Sequence, residues 1–380
     1  MVYVTVMQPP MYHQMTLEEF MFGLETRSQI INPSETNTRT YKMQWVGEKF
    51  LRRIDTTSLI MKLVQFNDST EALRAQEPRQ KLYHTFHLPK KSGGLRRIDA
   101  PNDELMDALR RLKTIFENDF GALYHTSAFA YVKKRSTLHA VKRHQANESK
   151  WFGKYDLSNF FGSTTPEFAM KMLSMVFPFS EVVKLEAGRI ELAEALELAF
   201  LNGGLPQGTP LSPLLTNIMM IPIDHALANG LRDFDHQRFV YTRYADDFLI
   251  SSKYGFSFKE IEKYIVDTLA EFDAPFTIKT EKTRYGSSNG ANWNLGVMLN
   301  KDNEITVGHK KKKQFQAMLS SYAKDKKNGN DWEKSDVQAM EGYRNYYRMV
   351  EGDAIDRIVN HIGDRLGVNI VRMIREDLKA

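Results

Sequence analysis

The chain of 380 residues contains no cysteine. That absence excludes disulfides and thiolate zinc sites, including a zinc-stabilised nuclease appendage, and it predicts a cytoplasmic location. No apolar run approaches the roughly twenty residues of a membrane-spanning helix, so no membrane partner is expected. Residues 1–10 lack the charged and apolar regions of a signal peptide. The formal net charge of +5 is a mild excess, which permits a nucleic-acid partner but does not require one.

The stretch at 244–247 reads Tyr-Ala-Asp-Asp and lies between two runs of β-branched and aromatic residues, 239–243 and 248–251. This pattern predicts a β-hairpin that holds carboxylates at its tip. Two adjacent carboxylates repel each other, and a divalent cation relieves that repulsion. Oxygen-only ligands favour Mg²⁺. An ordinary acidic turn is the alternative, because Asp is common in turns.

A third carboxylate, Asp156, ends a short apolar run at 151–155 and is followed after three residues by Phe160 and Phe161. Between the acidic sites, residues 204–213 read Gly-Leu-Pro-Gln-Gly-Thr-Pro-Leu-Ser-Pro. These glycines and prolines predict a turn that opens onto a helix.

In this order the three motifs resemble the palm of a reverse transcriptase of the bacterial group, which includes retron, group II intron, abortive-infection and defence-associated enzymes. The resemblance extends from about Leu88 to the C-terminus. It implies an α+β fold, a right-hand polymerase with fingers, a palm built on an antiparallel sheet plus helices, and a helical thumb. The expected boundaries are 1–85 for a mainly helical N-terminal extension, 86–155 for the fingers, 156–300 for the palm with a finger-side helical insertion at about 166–203, and 301–380 for the thumb.

Within the N-terminal extension, apolar spacing predicts a core-packing helix at 45–66. At the other end, the thumb is expected to leave no room for an endonuclease, RNase H or DNA-binding domain. Self-sufficient intron mobility is therefore not expected.

The resemblance implies an RNA-directed DNA polymerase that adds deoxynucleotides with two Mg²⁺ ions, for which Mn²⁺ is a possible substitute. The implied catalytic residues are Asp156, Asp246, Asp247 and Lys282, and the implied metal ligands are Asp156, the Leu157 carbonyl, Asp246 and Asp247. Asp247 ranks as the weaker ligand, because successive strand residues face opposite ways. Lys282 matches a lysine near the pyrophosphate that acts as a general acid, although a surface ion pair explains it equally well.

Nucleotide-binding residues come from three places in the resemblance. The run 86–101 predicts a hairpin with a Lys-Lys-Ser-Gly-Gly turn, although a solvated basic turn is the alternative. Phe161 matches the aromatic residue that blocks a ribose 2′-hydroxyl, although either phenylalanine at 160–161 also suits a core. The implied nucleotide-binding residues are Arg96 as the principal phosphate ligand, Arg97 and Lys91 as weaker ones, Phe161, Gln207 and Gly208.

Basic residues in three further segments match positions that contact nucleic acid in the family. The first segment, at 128–136, is similar to the part that faces the template, and the second opens the expected thumb helix at 309. The third, at 342–348, interleaves aromatic and basic residues and is similar to the thumb of group II-like enzymes. Solvated charge is the alternative for any one of them. The implied nucleic-acid-binding residues are Lys133, Lys134, Arg135, Lys310, Lys311, Lys312, Lys313 and Arg344.

Subgroup signatures differ from the retron pattern. Retrons carry Asn-Ala-x-x-His, whereas residues 139–144 read His-Ala-Val-Lys-Arg-His, and the retron Val-Thr-Gly variant is absent near 295–297. Ser212-Pro213 also departs from diversity-generating enzymes. These departures favour a stand-alone defence-associated or unclassified enzyme, with a structured non-coding RNA template, dNTPs and a DNA product as partners, and an accessory protein or homo-oligomer left open. The rival hypotheses are an RNA-binding scaffold or maturase-like factor, and a template-independent or protein-primed DNA polymerase with the same palm.

Overall fold

The computed structural model describes residues 2–5, 43–46, 56–90, 93–120, 124–234, 238–288 and 296–379. Its strands are β1 Val2–Thr5, β2 Met43–Val46, β3 Tyr83–Pro89, β4 Leu95–Pro101, β5 Trp151–Asp156, β6 Phe239–Tyr244, β7 Asp247–Ser252, β8 Arg284–Ser287, β9 Met298–Leu299 and β10 Ile305–Thr306. Its α-helices are α1 Thr56–Arg74, α2 Asp103–Phe120, α3 Thr137–Ala146, α4 Pro166–Leu173, α5 Phe179–Val182, α6 Glu186–Glu197, α7 Ser212–Met219, α8 Ile221–Asp233, α9 Phe258–Glu271, α10 His309–Lys327, α11 Lys334–Leu366 and α12 Ile370–Lys379.

The chain forms two compact units, each assembled from separated segments. The first comprises Met1–Arg135, Gly153–Ile250 and Ser257–Arg284, and the second comprises Ser136–Phe152, Ser251–Phe256 and Tyr285–Ala380. Neither unit is one continuous stretch, so this division differs from the consecutive subdomains expected from sequence. The predicted subdomain limits stay predictions.

The predicted acidic hairpin is confirmed. Strands β6 and β7 are joined by a two-residue turn, Ala245 and Asp246, and Ala245 adopts a left-handed φ of 57°. They belong to a four-stranded sheet with the order β6-β7-β5-β8. Tyr155, Phe248 and Ile250 are fully buried, so apolar side chains anchor the strands that carry the acidic residues.

The predicted basic hairpin is also present in the described residues. Strands β3 and β4 pair antiparallel, with Tyr83 opposite Pro101 and Leu88 opposite Arg96. Helix α1, which precedes this hairpin in the sequence, packs against α2 and α6. The helix expected at 45–66 instead spans Thr56–Arg74, and Trp45 lies in β2, which pairs in parallel with β1. A β-pairing partner distant in sequence overrode the apolar spacing at this position.

The C-terminal part of the second unit is helical, as expected for a thumb. Helices α10, α11 and α12 share a core that includes Phe315, Tyr322, Met340 and Ile355. Helix α11 is interrupted at Glu351, whose backbone leaves the helical region (φ −139°, ψ 61°). Its carboxylate accepts hydrogen bonds from Thr306 Oγ1 (2.9 Å) and from the Val307 N–H (2.7 Å). Among the described residues, no helix has the length and apolar character needed to cross a membrane.

Candidate active site

Backbone hydrogen bonds bring the two acidic motifs together. The Leu157 N–H donates to the Asp246 carbonyl (3.0 Å), and the Lys279 N–H donates to the Asp156 carbonyl (2.8 Å). Asp156 is only 5% exposed. Carboxylates about ninety residues apart in sequence therefore lie at one place, at the end of β5 and the tip of the β6–β7 hairpin.

Burial and mutual repulsion perturb the carboxylates at this site. Burial is the largest cause that raises the pKa of Asp246, and the charge of Asp156 adds to it. Burial likewise raises the pKa of Asp247 to about 6, and the nearby Asp246 and Asp156 carboxyls act in the same direction. The ion pair with Lys154 opposes this increase but does not cancel it. Burial in the folded chain therefore disfavours the charged forms of Asp246 and Asp247.

Two lysines lie close to the carboxylate of Asp156. Lys282 Nζ lies 3.1 and 3.2 Å from the two carboxylate oxygens of Asp156, and Lys279 Nζ lies 3.8 Å from one of them. Burial alone lowers the pKa of Lys282, but the hydrogen bond and charge of Asp156 outweigh it and raise the pKa. Lys282 thus forms an ion pair with the predicted metal ligand Asp156, and its catalytic role stays a prediction.

The donor set fits a hard divalent cation such as Mg²⁺. Asp156, Asp246 and Asp247 offer only oxygen ligands, and Asp247 Oδ1 is buried without a hydrogen-bond partner among the described residues. In that part of the chain, no three acidic or histidine side chains are grouped closely enough to form a ready metal cluster. The oxygen-only donors suit Mg²⁺, which in proteins usually keeps several waters or substrate phosphates as ligands.

The two arginines of β4 lie on opposite faces of the hairpin. Arg97 Nε donates to the Asp99 carboxylate (2.9 Å), which also accepts from Thr85 Oγ1 (2.7 Å). Arg96 is exposed and shares its face with Ile98, because side chains alternate along a strand. The prediction for Lys91, the third phosphate ligand, falls outside the described residues.

The turn at Gln207 and Gly208 packs directly on β4. The Asp99 N–H donates to the Gln207 carbonyl (2.8 Å). Gly208 has a φ of 124°, and a Cβ at this position would lie 2.8 Å from the Asp99 carbonyl oxygen and 3.0 Å from Ile98 Cγ2. Glycine is therefore required here by close backbone approach. The face of β4 that carries Arg96 meets the turn that carries Gln207.

Phe160 and Phe161 are divided between core and site. Phe160 is buried against Phe276, with ring centroids 4.9 Å apart. Phe161 is half-buried, and its carbonyl accepts a hydrogen bond from the Leu205 N–H (3.0 Å). Phe161 is thus the phenylalanine left available to a substrate, beside the segment that leads to Gln207.

The basic residues near 133 have different surroundings. Lys133 and Lys134 are exposed, and Lys133 Nζ lies 3.7 Å from Glu117. Arg135 is half-buried and donates to the carbonyls of His125 (2.6 Å) and Ala128 (2.8 Å). The guanidinium of Arg135 therefore holds its own loop together, a role that the charge pattern alone did not indicate.

The predicted thumb cations are divided in the same way. Lys310 and Lys313 are exposed, whereas Lys311 Nζ donates to the Gly296 carbonyl (2.8 Å) and Lys312 Nζ pairs with Glu351 (2.8 Å). Arg344 makes two 2.6 Å hydrogen bonds to the Glu341 carboxylate one turn away in α11. The structure thus uses Lys311, Lys312 and Arg344 in internal contacts.

Sequence reasoning missed a buried ion pair beneath the acidic hairpin. Arg243, 1% exposed, donates to both carboxylate oxygens of the fully buried Asp224, at 2.8 Å to each from Nε and Nη2. It also donates to the carbonyl of Ala245 (3.3 Å), in the turn itself. Tyr241 OH bonds the same Asp224 carboxylate (2.8 Å). An arginine inside a strand rich in apolar residues was the available signal, because a buried cation requires a buried partner.

Tyr131 was also missed. It is exposed and adopts a left-handed φ of 58°, which is uncommon for an aromatic residue. Although the side chain is largely exposed, partial desolvation raises the pKa of its hydroxyl, the charges of Asp246 and Tyr244 add to this, and Arg96 opposes it. Tyr131 therefore lies within electrostatic range of three residues of the candidate site.

Residues 88–318 match the family described as Reverse transcriptase (RNA-dependent DNA polymerase). The chain belongs to this family. As a reverse transcriptase it is an RNA-directed DNA polymerase with the α+β right-hand fold, and membership of this family implies dependence on a divalent metal in general.

Similar proteins include several retron reverse transcriptases. The chain is 29% identical to the Retron Ec73 reverse transcriptase of Escherichia coli, with 71% of the chain and 83% of that protein covered. Identity is 24% to the Retron Ec83 reverse transcriptase of Escherichia coli, with coverage of 74% and 87%. It is 25% to the Retron Mx65 reverse transcriptase of Myxococcus xanthus, with coverage of 74% and 65%. These three relatives are retron enzymes, whereas the two retron signatures are altered or absent in this chain.

Among solved structures, the chain is similar to telomerase from Candida albicans in complex with a TWJ fragment of telomeric RNA. The TM-score is 0.45 at 11% identity, and 76% of the chain and 64% of that structure are covered. A telomerase from Candida tropicalis with the same type of RNA fragment gives a TM-score of 0.45 at 13% identity, with coverage of 77% and 55%. The chain thus spans less than two thirds of either telomerase.

Proposed function

We propose that this reverse transcriptase adds deoxynucleotides to a 3′-hydroxyl by two-metal-ion catalysis on an RNA template. The observation that supports this most directly is the backbone bond from Leu157 to Asp246. It holds Asp156 and Asp246 side by side in a buried cluster in which the charged carboxylate of Asp246 is disfavoured. Such a cluster is costly to build unless cations complete it.

Each side chain has a distinct role in this proposal. Asp156 and Asp246, with the Leu157 carbonyl, hold Mg²⁺ or substituting Mn²⁺, and Asp247 is the weaker third ligand. When bound, the metal lowers the pKa of the attacking hydroxyl and neutralises the triphosphate. Arg96 binds the triphosphate from β4. Lys282 leaves Asp156 and gives a proton to the departing pyrophosphate.

We further propose that the template is a dedicated, structured non-coding RNA and that the biological role is bacterial antiviral defence. The names of the relatives, which are retron reverse transcriptases, support a dedicated RNA. Exposed Lys133, Lys134, Lys310 and Lys313 provide cations for a phosphate backbone. An accessory protein or homo-oligomer would act beside this RNA.

The activity is tested by deoxynucleotide incorporation on primed RNA with purified wild-type, Asp246→Asn and Asp267→Asn proteins. Asp267 is a matched control, because it pairs with Lys263 on the exposed face of α9. We expect Asp246→Asn to lose at least about a hundredfold in rate through loss of metal ligation, and the control to keep its rate. Incorporation that survives Asp246→Asn would exclude the assigned mechanism.

The same assay separates the rival functions. Incorporation that persists without any template would identify a template-independent polymerase. Tight RNA binding with no incorporation by the wild type would identify a scaffold or maturase-like factor. Sequencing of nucleic acid that co-purifies from the native host tests the dedicated RNA: one abundant RNA with complementary DNA is the expected result. Phage challenge of cells that carry the wild-type or Asp246→Asn locus tests the defence role, and equal plaque numbers would contradict it.

A further inference from the structure

Lys154 makes a short, largely buried ion pair with the weaker of the predicted metal ligands. Its Nζ lies 2.6 Å from Asp247 Oδ2, and the two side chains are 16% and 17% exposed. Lys154 precedes Asp156 by two residues on β5, so both side chains lie on the same face of the strand. Lys154 is therefore a largely buried cation in direct contact with the acidic cluster.

The two oxygens of Asp247 have different surroundings. Oδ2 accepts the hydrogen bond from Lys154, whereas Oδ1 is buried and receives no hydrogen bond from the described residues. A buried carboxylate oxygen without a donor is costly, and such an atom in a native site calls for a ligand. A cation that approaches Asp247 therefore finds Oδ1 available and Oδ2 occupied.

The second lysine at the cluster differs in how firmly it is held. Lys282 bonds Asp156 at 3.1 Å but its side chain is 48% exposed, so it can swing into solvent when a cation arrives. Lys154 has less freedom, because its side chain is enclosed and its bond is shorter. One lysine is displaceable and the other is a fixed part of the site.

We propose that Lys154 is a positioning residue that occupies Asp247 Oδ2 and restricts Asp247 to single-oxygen ligation of a divalent cation through Oδ1. The inference rests on the two-metal function proposed above and names a further determinant of it. Without Lys154, Asp247 is free to rotate and engage the cation with both oxygens. A divalent cation would then be held less precisely by Asp156 and Asp246, and this imprecision would lower kcat.

The charge change leads to a result that a purely structural role would not give. Replacing Lys154 by methionine removes one positive charge from beside three carboxylates. The site then attracts a divalent cation more strongly, while it holds that cation in a less productive place. Metal affinity and turnover are expected to move in opposite directions.

The experiment compares the wild type with Lys154→Met, Lys154→Arg and Lys263→Met. Lys263 is a control, because it forms an equally short ion pair (2.6 Å) with Asp267 on an exposed helix face. Free Mn²⁺ is counted by its paramagnetic resonance signal, and single-nucleotide addition gives kcat and KM. For Lys154→Met we expect Mn²⁺ binding several-fold tighter, kcat about tenfold lower and the KM for dNTP within about twofold. Arginine should restore kcat, because it keeps the charge and the donor.

A double-mutant cycle tests whether Lys154 acts through Asp247. In an Asp247→Asn background, Lys154→Met should change kcat by less than about twofold, because the carboxylate that it positions is gone. Lys154→Met alone leaves the Asp247 carboxylate buried without its partner, which can impair folding. The Asp247→Asn background removes that charge, so the effect of Lys154→Met can still be measured there. A Lys154→Met protein with wild-type kcat, with weaker Mn²⁺ binding, or with an undiminished effect in the Asp247→Asn background would overturn the proposal.

A different result is expected if two-metal catalysis, rather than the role of Lys154, is wrong. Asp156→Asn is then the diagnostic protein: if it binds Mn²⁺ and incorporates nucleotides like the wild type, two-metal catalysis at this cluster is wrong. If Asp156→Asn is inactive while Lys154→Met is normal, only the role assigned to Lys154 is wrong.

Discussion

Adjacent arginines on β4 illustrate how a single residue position decides function. Arg97 is paired with Asp99, while Arg96 lies on the face that meets Gly208. Both have a guanidinium that can bind phosphate with two hydrogen bonds, but Arg97 is bonded to Asp99, whereas Arg96 shares the strand face of Ile98, which lies against Gly208.

Replacing each arginine by alanine should therefore have unequal effects. For Arg96→Ala we expect the KM for dNTP to rise at least about tenfold, because a charge-assisted contact with the triphosphate is lost. Arg97→Ala is the neighbouring control, with an expected change of less than about twofold. Steady-state incorporation kinetics measure both, and equal losses would show that the faces of β4 do not determine phosphate binding.

The neighbouring phenylalanines follow the same logic. Phe160 fills the core against Phe276, and the half-buried ring of Phe161 packs on Phe160 at 5.6 Å with its edge toward the neighbouring ring. Phe161 is thereby held in place by a residue that has no substrate contact to make.

Phe161→Ala should admit ribonucleotides, because the ring that would clash with a 2′-hydroxyl is removed. We expect the ratio of kcat/KM for dNTP over rNTP to fall at least about tenfold. Phe160→Leu is the control, since it keeps an apolar core residue and should leave that ratio unchanged. Sugar selectivity that does not change in Phe161→Ala would rule out the gate.

At the scale of the element, the four lysines at 310–313 occupy different positions around α10. Lys310 and Lys313 are one turn apart and exposed, so they share an outward face. Lys311 and Lys312 are bonded to Gly296 and Glu351. Only the outward pair is arranged to follow a phosphate backbone.

The double variant Lys310→Ala/Lys313→Ala should bind RNA–DNA duplex more weakly. The slope of log affinity against log salt should fall by about two, because each lost phosphate contact releases about one counterion fewer. Lys312→Ala should instead lower the free energy of unfolding, through loss of the ion pair with Glu351. Filter binding across a salt series and chemical denaturation separate the two results; identical salt slopes for the double variant and the wild type would contradict the assignment.

At the scale of the whole molecule, stability should depend on pH through a buried histidine. His144 is fully buried, with Nδ1 2.6 Å from Ser251 Oγ. Burial, with a smaller contribution from Arg143, lowers its pKa to about 3. The folded chain therefore keeps His144 neutral, while the unfolded chain protonates it below its ordinary value of 6.5.

Because the unfolded chain binds a proton at His144 that the folded chain does not, acid lowers the free energy of unfolding. Stability from His144 is complete above pH 6.5 and decreases as the pH falls toward 3. At pH 5 we expect a loss of about 2 kcal/mol in the free energy of unfolding relative to pH 7.5. The raised pKa of Asp247 has the opposite effect: its contribution to the free energy of unfolding increases as the pH falls from about 6 to about 4. The difference between the wild type and His144→Gln isolates the histidine, and parallel pH profiles for the two proteins would refute its role.

Much of the site could be predicted because its signals are local. The hairpin at 244–247, the basic hairpin around Arg96 and the glycine turn at 208 are each specified by residues within about ten positions of one another. Alternation along a strand, turn chemistry and apolar spacing are short-range properties, and the sequence displays them directly. The order of these motifs was enough to indicate the family.

What the sequence by itself determined is therefore which chemical groups the protein has and which short elements carry them. Only the tertiary structure decided how those groups pair: Leu157 with Asp246, Arg97 with Asp99, Lys312 with Glu351 and Lys154 with Asp247. Except for Arg97 and Asp99, each pair joins residues from separate elements, which local periodicity does not encode. Arg97 and Lys312 show the physical reason most clearly, because each has a neighbour of the same type in sequence but differs from it in the group that folding placed beside it.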